Sequence, residues 1–98
     1  MPAYLVAQID VHDPAGFEEY RAHVAPVVEA YGGRYVVRTD GLVPLEGAEP
    51  RGRLVILEFP SMDAAQRFYG SADYAPLLRQ RQASATSDIM LAEGHAPG

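Results

Sequence analysis

Between Tyr4 and Val11 the chain alternates, with Leu5, Ala7, Ile9 and Val11 on one side and Tyr4, Val6, Gln8 and Asp10 on the other. A period of two predicts a strand. The period then changes. After Asp13-Pro14, suited to a helix N-cap and first turn, Phe17, Tyr20, Val24, Val27, Val28 and Tyr31 recur at helical spacing until Gly32-Gly33. They predict a helix of roughly 18 residues. Pro26 falls inside it, where its ring removes a backbone donor and crowds the preceding turn, so a kink or local break is expected there.

Arg34–Thr39 reads as a second strand, leaving through Asp40-Gly41 into a Pro- and Gly-containing stretch that ends at Gly52. Long connections of this kind are mobile and often functional. The third strand, Arg53–Phe59, sets Val55, Leu57 and Phe59 against Leu54, Ile56 and Glu58. Ser61 caps a second helix carrying Met62, Ala65, Phe68 and Tyr69. A short third helix is expected from near Asp73, with Pro76 in its first turn and Tyr74, Leu77, Leu78 and Arg81 along one face. Asp88–Glu93 reads as the last strand, and the stretch from Gly94 to Gly98 as a fraying tail.

The order β-α-β-β-α-(α)-β is that of a ferredoxin-like α+β fold, a four-stranded antiparallel sheet with helices on one face. If Leu5, Ala7, Ile9, Val11, Val55, Leu57 and Phe59 meet the helices, the other face shows Tyr4, Val6, Val36, Leu54 and Ile56. A contiguous apolar face beyond a few hundred Å² is rarely left bare, and a second copy across a two-fold axis would cover it. Burying about 400 Å² per subunit would supply on the order of 10 kcal/mol gross. A homodimer through the sheet face is therefore expected.

Length and composition narrow the classes. The 98 residues suit one domain, with 48% hydrophobic and 21% charged side chains. A net charge of -5 works against nucleic acid and anionic membranes as partners. The chain has no cysteine, hence no disulfide or zinc-thiolate site, and no apolar run long enough to span a bilayer. Its opening lacks the basic and apolar regions of a signal peptide, so a cytoplasmic protein is expected. His12, His23 and His95 show no metal-ligand spacing, and there is no phosphate loop, dinucleotide fingerprint or Ser-His-Asp pattern. Neither metal nor cofactor is expected.

The candidate chemistry lies in polar residues on or near apolar surface. Gln8, Asp10, Arg34, Arg38 and Glu58 share the predicted bare face with Tyr4, and desolvating them would cost several kcal/mol each unless they pair, reach the rim or meet a ligand. Arg38 and Glu58 lie on hairpin neighbours. The plainer account is a cross-strand ion pair fixing register or interface. The sharper one has Arg38 hold a carboxylate or enolate while Glu58, with Asp10 as second carboxylate, serves as a base. Arg81 either ties helix-end carbonyls or a loop carboxylate such as Glu46 to the body, or binds an anion at a pocket mouth. Tyr20, Tyr69 and Tyr74 fall at core-facing spacings, as packed rings with satisfied hydroxyls.

The chain resembles the family named domain of unknown function 1330, within the dimeric α+β barrel superfamily. The likeness runs from Tyr4 to Gly94 and rests on Asp13-Pro14, Gly32-Gly33, Arg38, Glu46-Gly47, Glu58-Phe59-Pro60-Ser61, Tyr69-Gly70-Ser71, Tyr74, Arg81 and Glu93-Gly94. Phe68 stands where the family usually shows tryptophan, and Thr39-Asp40 where a glycine pair commonly follows the arginine. The resemblance implies a ferredoxin-like dimer and no activity. Three functions stay open. The leading one is a homodimer binding a small organic molecule, an anion being favoured, between sheet and helices or at the subunit interface. The others are a cofactor-independent oxygenase or isomerase acting on an enolisable compound, by superfamily analogy, and a purely structural or accessory dimer.

Overall fold

The computed structural model describes residues 1–95. Seven elements follow one another: β1 (Ala3–Val11), α1 (Pro14–Ala30), β2 (Arg34–Thr39), β3 (Arg53–Phe59), α2 (Met62–Tyr69), α3 (Ala75–Ser84) and β4 (Ala85–Glu93). The strands form one antiparallel sheet in the order β2-β3-β1-β4. This is the ferredoxin-like α+β arrangement anticipated from the alternation of periods. Along β1 the pattern holds: Ala3, Leu5, Ala7 and Ile9 are buried, while Gln8 and Asp10 are exposed.

Local chemistry sets the element ends. The Asp13 carboxylate accepts from the Gly16 N–H (3.3 Å), starting α1 with Pro14 in the first turn. The helix stops where Gly32 takes φ +82°, open to glycine at little cost, and the Gly33 N–H returns to the Val28 carbonyl (2.9 Å). Ser61 caps α2 by accepting from the Ala64 N–H (3.0 Å). Between helix faces and sheet, Phe59 and Phe68 are fully buried with ring centroids 5.2 Å apart, and Phe68 lies 4.5 Å from the Tyr74 ring.

Four expectations are corrected. The local break expected at Pro26 does not occur: α1 continues through it, with the ring on the exposed side, where water can serve the carbonyl that loses its partner. Helix α3 begins at Ala75 rather than near Asp73, because the Ser71 side chain holds a preceding turn, accepting from the Tyr74 N–H and donating to the Phe68 carbonyl. Strand β4 begins at Ala85 rather than Asp88, since Ala85, Thr86 and Ser87 pair with Val11, Asp10 and Ile9. The ladder of β1 carries the strand through Ala85 and Ser87, whose own strand preference is weak, while Thr86 suits it.

The fourth correction concerns β2. Its pairing with β3 shifts between Tyr35 and Val37, leaving Val36 as the extra residue of a β-bulge on an edge strand. Val37, not Val36, therefore lies across from Ile56 on the bare face, and Arg38 lies across from Val55 on the helix side. Arg34 keeps its place opposite Glu58. Of the expected tail, Gly94 is tied to β1 through its N–H to the Pro2 carbonyl (2.8 Å). Residues 96–98 lie outside the described residues.

Candidate functional site

A cavity of about 40 Å³ lies between the sheet and helices α1, α2 and α3. Its inner walls are apolar, supplied by Leu5, Ala7 and Ile9 from β1, Leu57 from β3, Val24 from α1 and Phe68 from α2. Against them stand Arg21, Arg38, Arg53 and Arg81. Half of the chain's eight basic residues thus line one cavity of an acidic protein, and none of its thirteen acidic residues does.

Arg81 is the innermost of the four, 3% exposed. Its Nε donates to the Tyr74 hydroxyl (3.4 Å) and its Nη2 to the Tyr69 hydroxyl (3.3 Å), while the Tyr20 and Tyr74 hydroxyls share a 3.0 Å bond. These contacts replace the helix-end carbonyls and Glu46 expected from the sequence. Glu46 instead lines a cleft beneath the 40–52 connection, on the other face of the sheet. Among the described residues no carboxylate lies within 4.0 Å of the Arg81, Arg38 or Arg53 guanidinium, whereas Arg21 meets Glu18 at 3.6 Å. Burial would lower the Arg81 pKa, and the Tyr74, Tyr20 and Tyr69 hydroxyls outweigh it, so the net shift is upward. A guanidinium stays charged in any case. Burial also pushes the Tyr20 phenol well above its ordinary range, with Tyr74 adding to it, so the hydroxyl stays protonated. What results is a buried cation held by neutral oxygens, with N–H donors to spare and apolar walls around it. Such an environment strengthens attraction for an entering anion.

At the opening, Arg53 stacks its guanidinium carbon 4.9 Å from the Phe17 centroid, and Arg38 lies 4.8 Å from that of Tyr35. Stacking occupies the face of a guanidinium and leaves its N–H edge free. Arg21, Arg38 and Arg53 also line an outer cleft of about 270 Å³ with Thr39 and Asp40.

Of the six residues singled out in the sequence, two meet here, Arg38 and Arg81. The proposed Arg38–Glu58 pair does not form: Arg34 holds the position across from Glu58, and Arg38 lies further along the strand opposite Val55, put on the other face by the bulge. Glu58 instead accepts from Tyr4 Oη (2.9 Å) and from Arg34 Nε (2.9 Å). These bonds, that from Arg34 foremost, hold its carboxyl below the usual range. A carboxylate so stabilised is a poor base. Gln8 and Asp10 are exposed on the bare face, Gln8 beside a cleft of about 500 Å³ under the 40–52 connection. Three contributors were overlooked: Arg21, Arg53 and Tyr35. Arg53 was within reach, since it shares the parity of Val55, Leu57 and Phe59. Arg21, one turn after Phe17 on α1, was a weaker signal, and Tyr35 changed sides relative to Arg38 only through the bulge. Among the described residues no group of three or more His, Asp or Glu side chains could hold a metal, and no helix is long and apolar enough to cross a membrane.

The family model described as "Domain of unknown function (DUF1330)" matches residues 2–95. No curated protein matches the chain. Among solved structures, it is similar to RPA0582, a protein of unknown function from Rhodopseudomonas palustris, at 20% identity and a TM-score of 0.81, over 98% of this chain and 84% of that one. It is similar to SnoaB, a cofactor-independent oxygenase from Streptomyces nogalater, at 23% identity and a TM-score of 0.70, over 98% and 95%. A dimeric ferredoxin-like protein of unknown function from Jannaschia sp. aligns at 8% identity and a TM-score of 0.68, over 96% and 100%. At these identities the likeness is one of fold.

Proposed function

Because the chain belongs to the domain of unknown function 1330 family, whose membership carries a fold and no reaction, we propose that it is a homodimer binding a small organic anion between sheet and helices. The observation that carries this reading is Arg81, a cation almost wholly removed from water with no acid beside it. A buried unpaired charge costs several kcal/mol, a cost an anionic ligand would offset. The dimer rests on the bare face, where Tyr4, Val6, Leu54 and Ile56 are half-buried and Met90 is 62% exposed, and on the described dimer of the Jannaschia neighbour. An absence of cysteine supports a cytoplasmic setting.

The oxygenase or isomerase alternative loses its base, since Glu58 is engaged by Arg34 and Tyr4 and the cavity lies on the other face. A purely structural dimer would close its charged groups on one another, and Arg81 meets only the neutral Tyr69 and Tyr74 hydroxyls. Thermal melting with benzoate, hexanoate, succinate and glutarate tests the reading. A ligand at about ten times its Kd adds about 1.4 kcal/mol, a rise of several degrees in a domain of this size. The rise should vanish in Arg81→Met and shrink in Arg38→Ala. No rise with any organic acid, or one retained in Arg81→Met, overturns the proposal.

A further inference from the structure

The inner cavity is small. At about 40 Å³ it has room for about three waters, or a carboxylate with little attached to it. A ligand seated on Arg81 must place the rest of itself outward, past Arg21, Arg38 and Arg53, in the cleft of about 270 Å³ that these three also line. That outer space is built to hold charge. Its lining adds only Thr39 and Asp40, so three guanidiniums share the cleft with one carboxylate, and Glu18, outside the lining, offsets only Arg21.

Resting on the anion-binding reading above, we propose that the ligand carries an anionic group at each end, as a short dicarboxylate does: one at Arg81, the other among Arg38, Arg53 and Arg21. Two features join the ends into one site. The three outer arginines line both spaces, so the two volumes adjoin across the same side chains. Arg38 and Arg53 stack on Tyr35 and Phe17, themselves walls of the inner cavity, which holds both guanidiniums over the opening with their N–H edges free. A monoanion would leave like charges crowded around the mouth. A second anionic group relieves that repulsion and fixes the ligand's direction.

Isothermal titration separates the two levels. Malonate, succinate, glutarate and adipate are compared with the monocarboxylates of equal carbon number, near physiological salt. At least one diacid should bind ten-fold or more tighter than its matched monoacid, and the ratio should collapse to within three-fold in Arg53→Met and in Arg38→Met. Both side chains sit at the rim, and melting curves establish that each variant folds. Should one fail to fold, the other supplies the ratio. Monoacids binding as tightly as diacids overturns the two-ended site and leaves the Arg81 pocket standing. Binding of no acid at all overturns both. Inorganic phosphate binding that persists in Arg81→Met, with no diacid preference, makes the outer cleft a separate anion site and equally overturns the proposal.

Discussion

Arg81 separates a structural role from a binding one by the sign of a single measurement. If its guanidinium served the fold, as partner to Tyr69 and Tyr74, then removing it would cost about 1–3 kcal/mol for the hydroxyls left without a partner. With no carboxylate beside it, replacement by an apolar chain of similar length removes a desolvated charge, so Arg81→Met should leave stability unchanged or raise it by up to about 2 kcal/mol in urea unfolding. Two titrations bear on the same scale. Glu58 has its folded-state pKa depressed, chiefly by the Arg34 bond and then by that from Tyr4. Its contribution is therefore present above the ordinary carboxyl value and lost as pH falls through the folded one, and Glu58→Gln should flatten the acid limb of the stability profile. Tyr20 has the opposite sign. Its pKa is raised by burial from 10.0, so its contribution is complete below about pH 10 and disappears at higher pH, and Tyr20→Phe should flatten the alkaline limb.

At the scale of elements, the bulge in β2 decides which face Arg38 serves. Deleting Val36 leaves the pairs Tyr35–Leu57 and Arg38–Val55 in place, so the deletion should fold, melt within a few degrees of the parent and keep its ligand-induced rise. Loss of that rise would mean that the bend of the bulge itself aims the guanidinium. Gly32, at φ +82° with the Pro60 ring close by, should lose about 1 kcal/mol or more on replacement by alanine, read from the urea midpoint. These two positions also mark what a sequence can disclose. Strands β2 and β3 were bounded by turn residues and hydrophobic runs, and the Gly32-Gly33 stop was plain. The extra residue in β2 carried no signal, because Tyr-Val-Val-Arg suits a strand on either face. Arg38 was consequently assigned to the wrong side, and its pairing with Glu58 with it. The start of β4 was hidden for a related reason, since Ala85 and Ser87, of weak strand preference, are held in strand geometry by pairing with β1.

At the scale of the whole molecule, the sheet has helices on one side and half-buried aliphatic side chains on the other. The proposed dimer should sediment at twice the chain mass at micromolar concentration. Ile56→Asp, at the middle of the bare face opposite Val6 and Val37, should yield monomers with a lower melting temperature, and an unchanged sedimentation coefficient would remove that face as the contact. In the proposed dimer the two faces would divide the labour: Tyr4, Arg34 and Glu58 lie on the face offered to the second copy, and Arg38, Arg53 and Arg81 on the helix side. This division was only partly legible, because period-two alternation assigns residues to faces correctly until one extra residue intervenes.

Strand β1 opens the chain yet occupies an inner place in the sheet, hydrogen-bonded to β3 on one flank and to β4 on the other. During synthesis it must wait for both neighbours, and its last open edge is sealed only when the final strand arrives. Chain released early, or cut before Ala85, would present that edge as a template for other copies. The architecture therefore puts its aggregation hazard in incomplete chains, while the finished sheet keeps β1 out of reach.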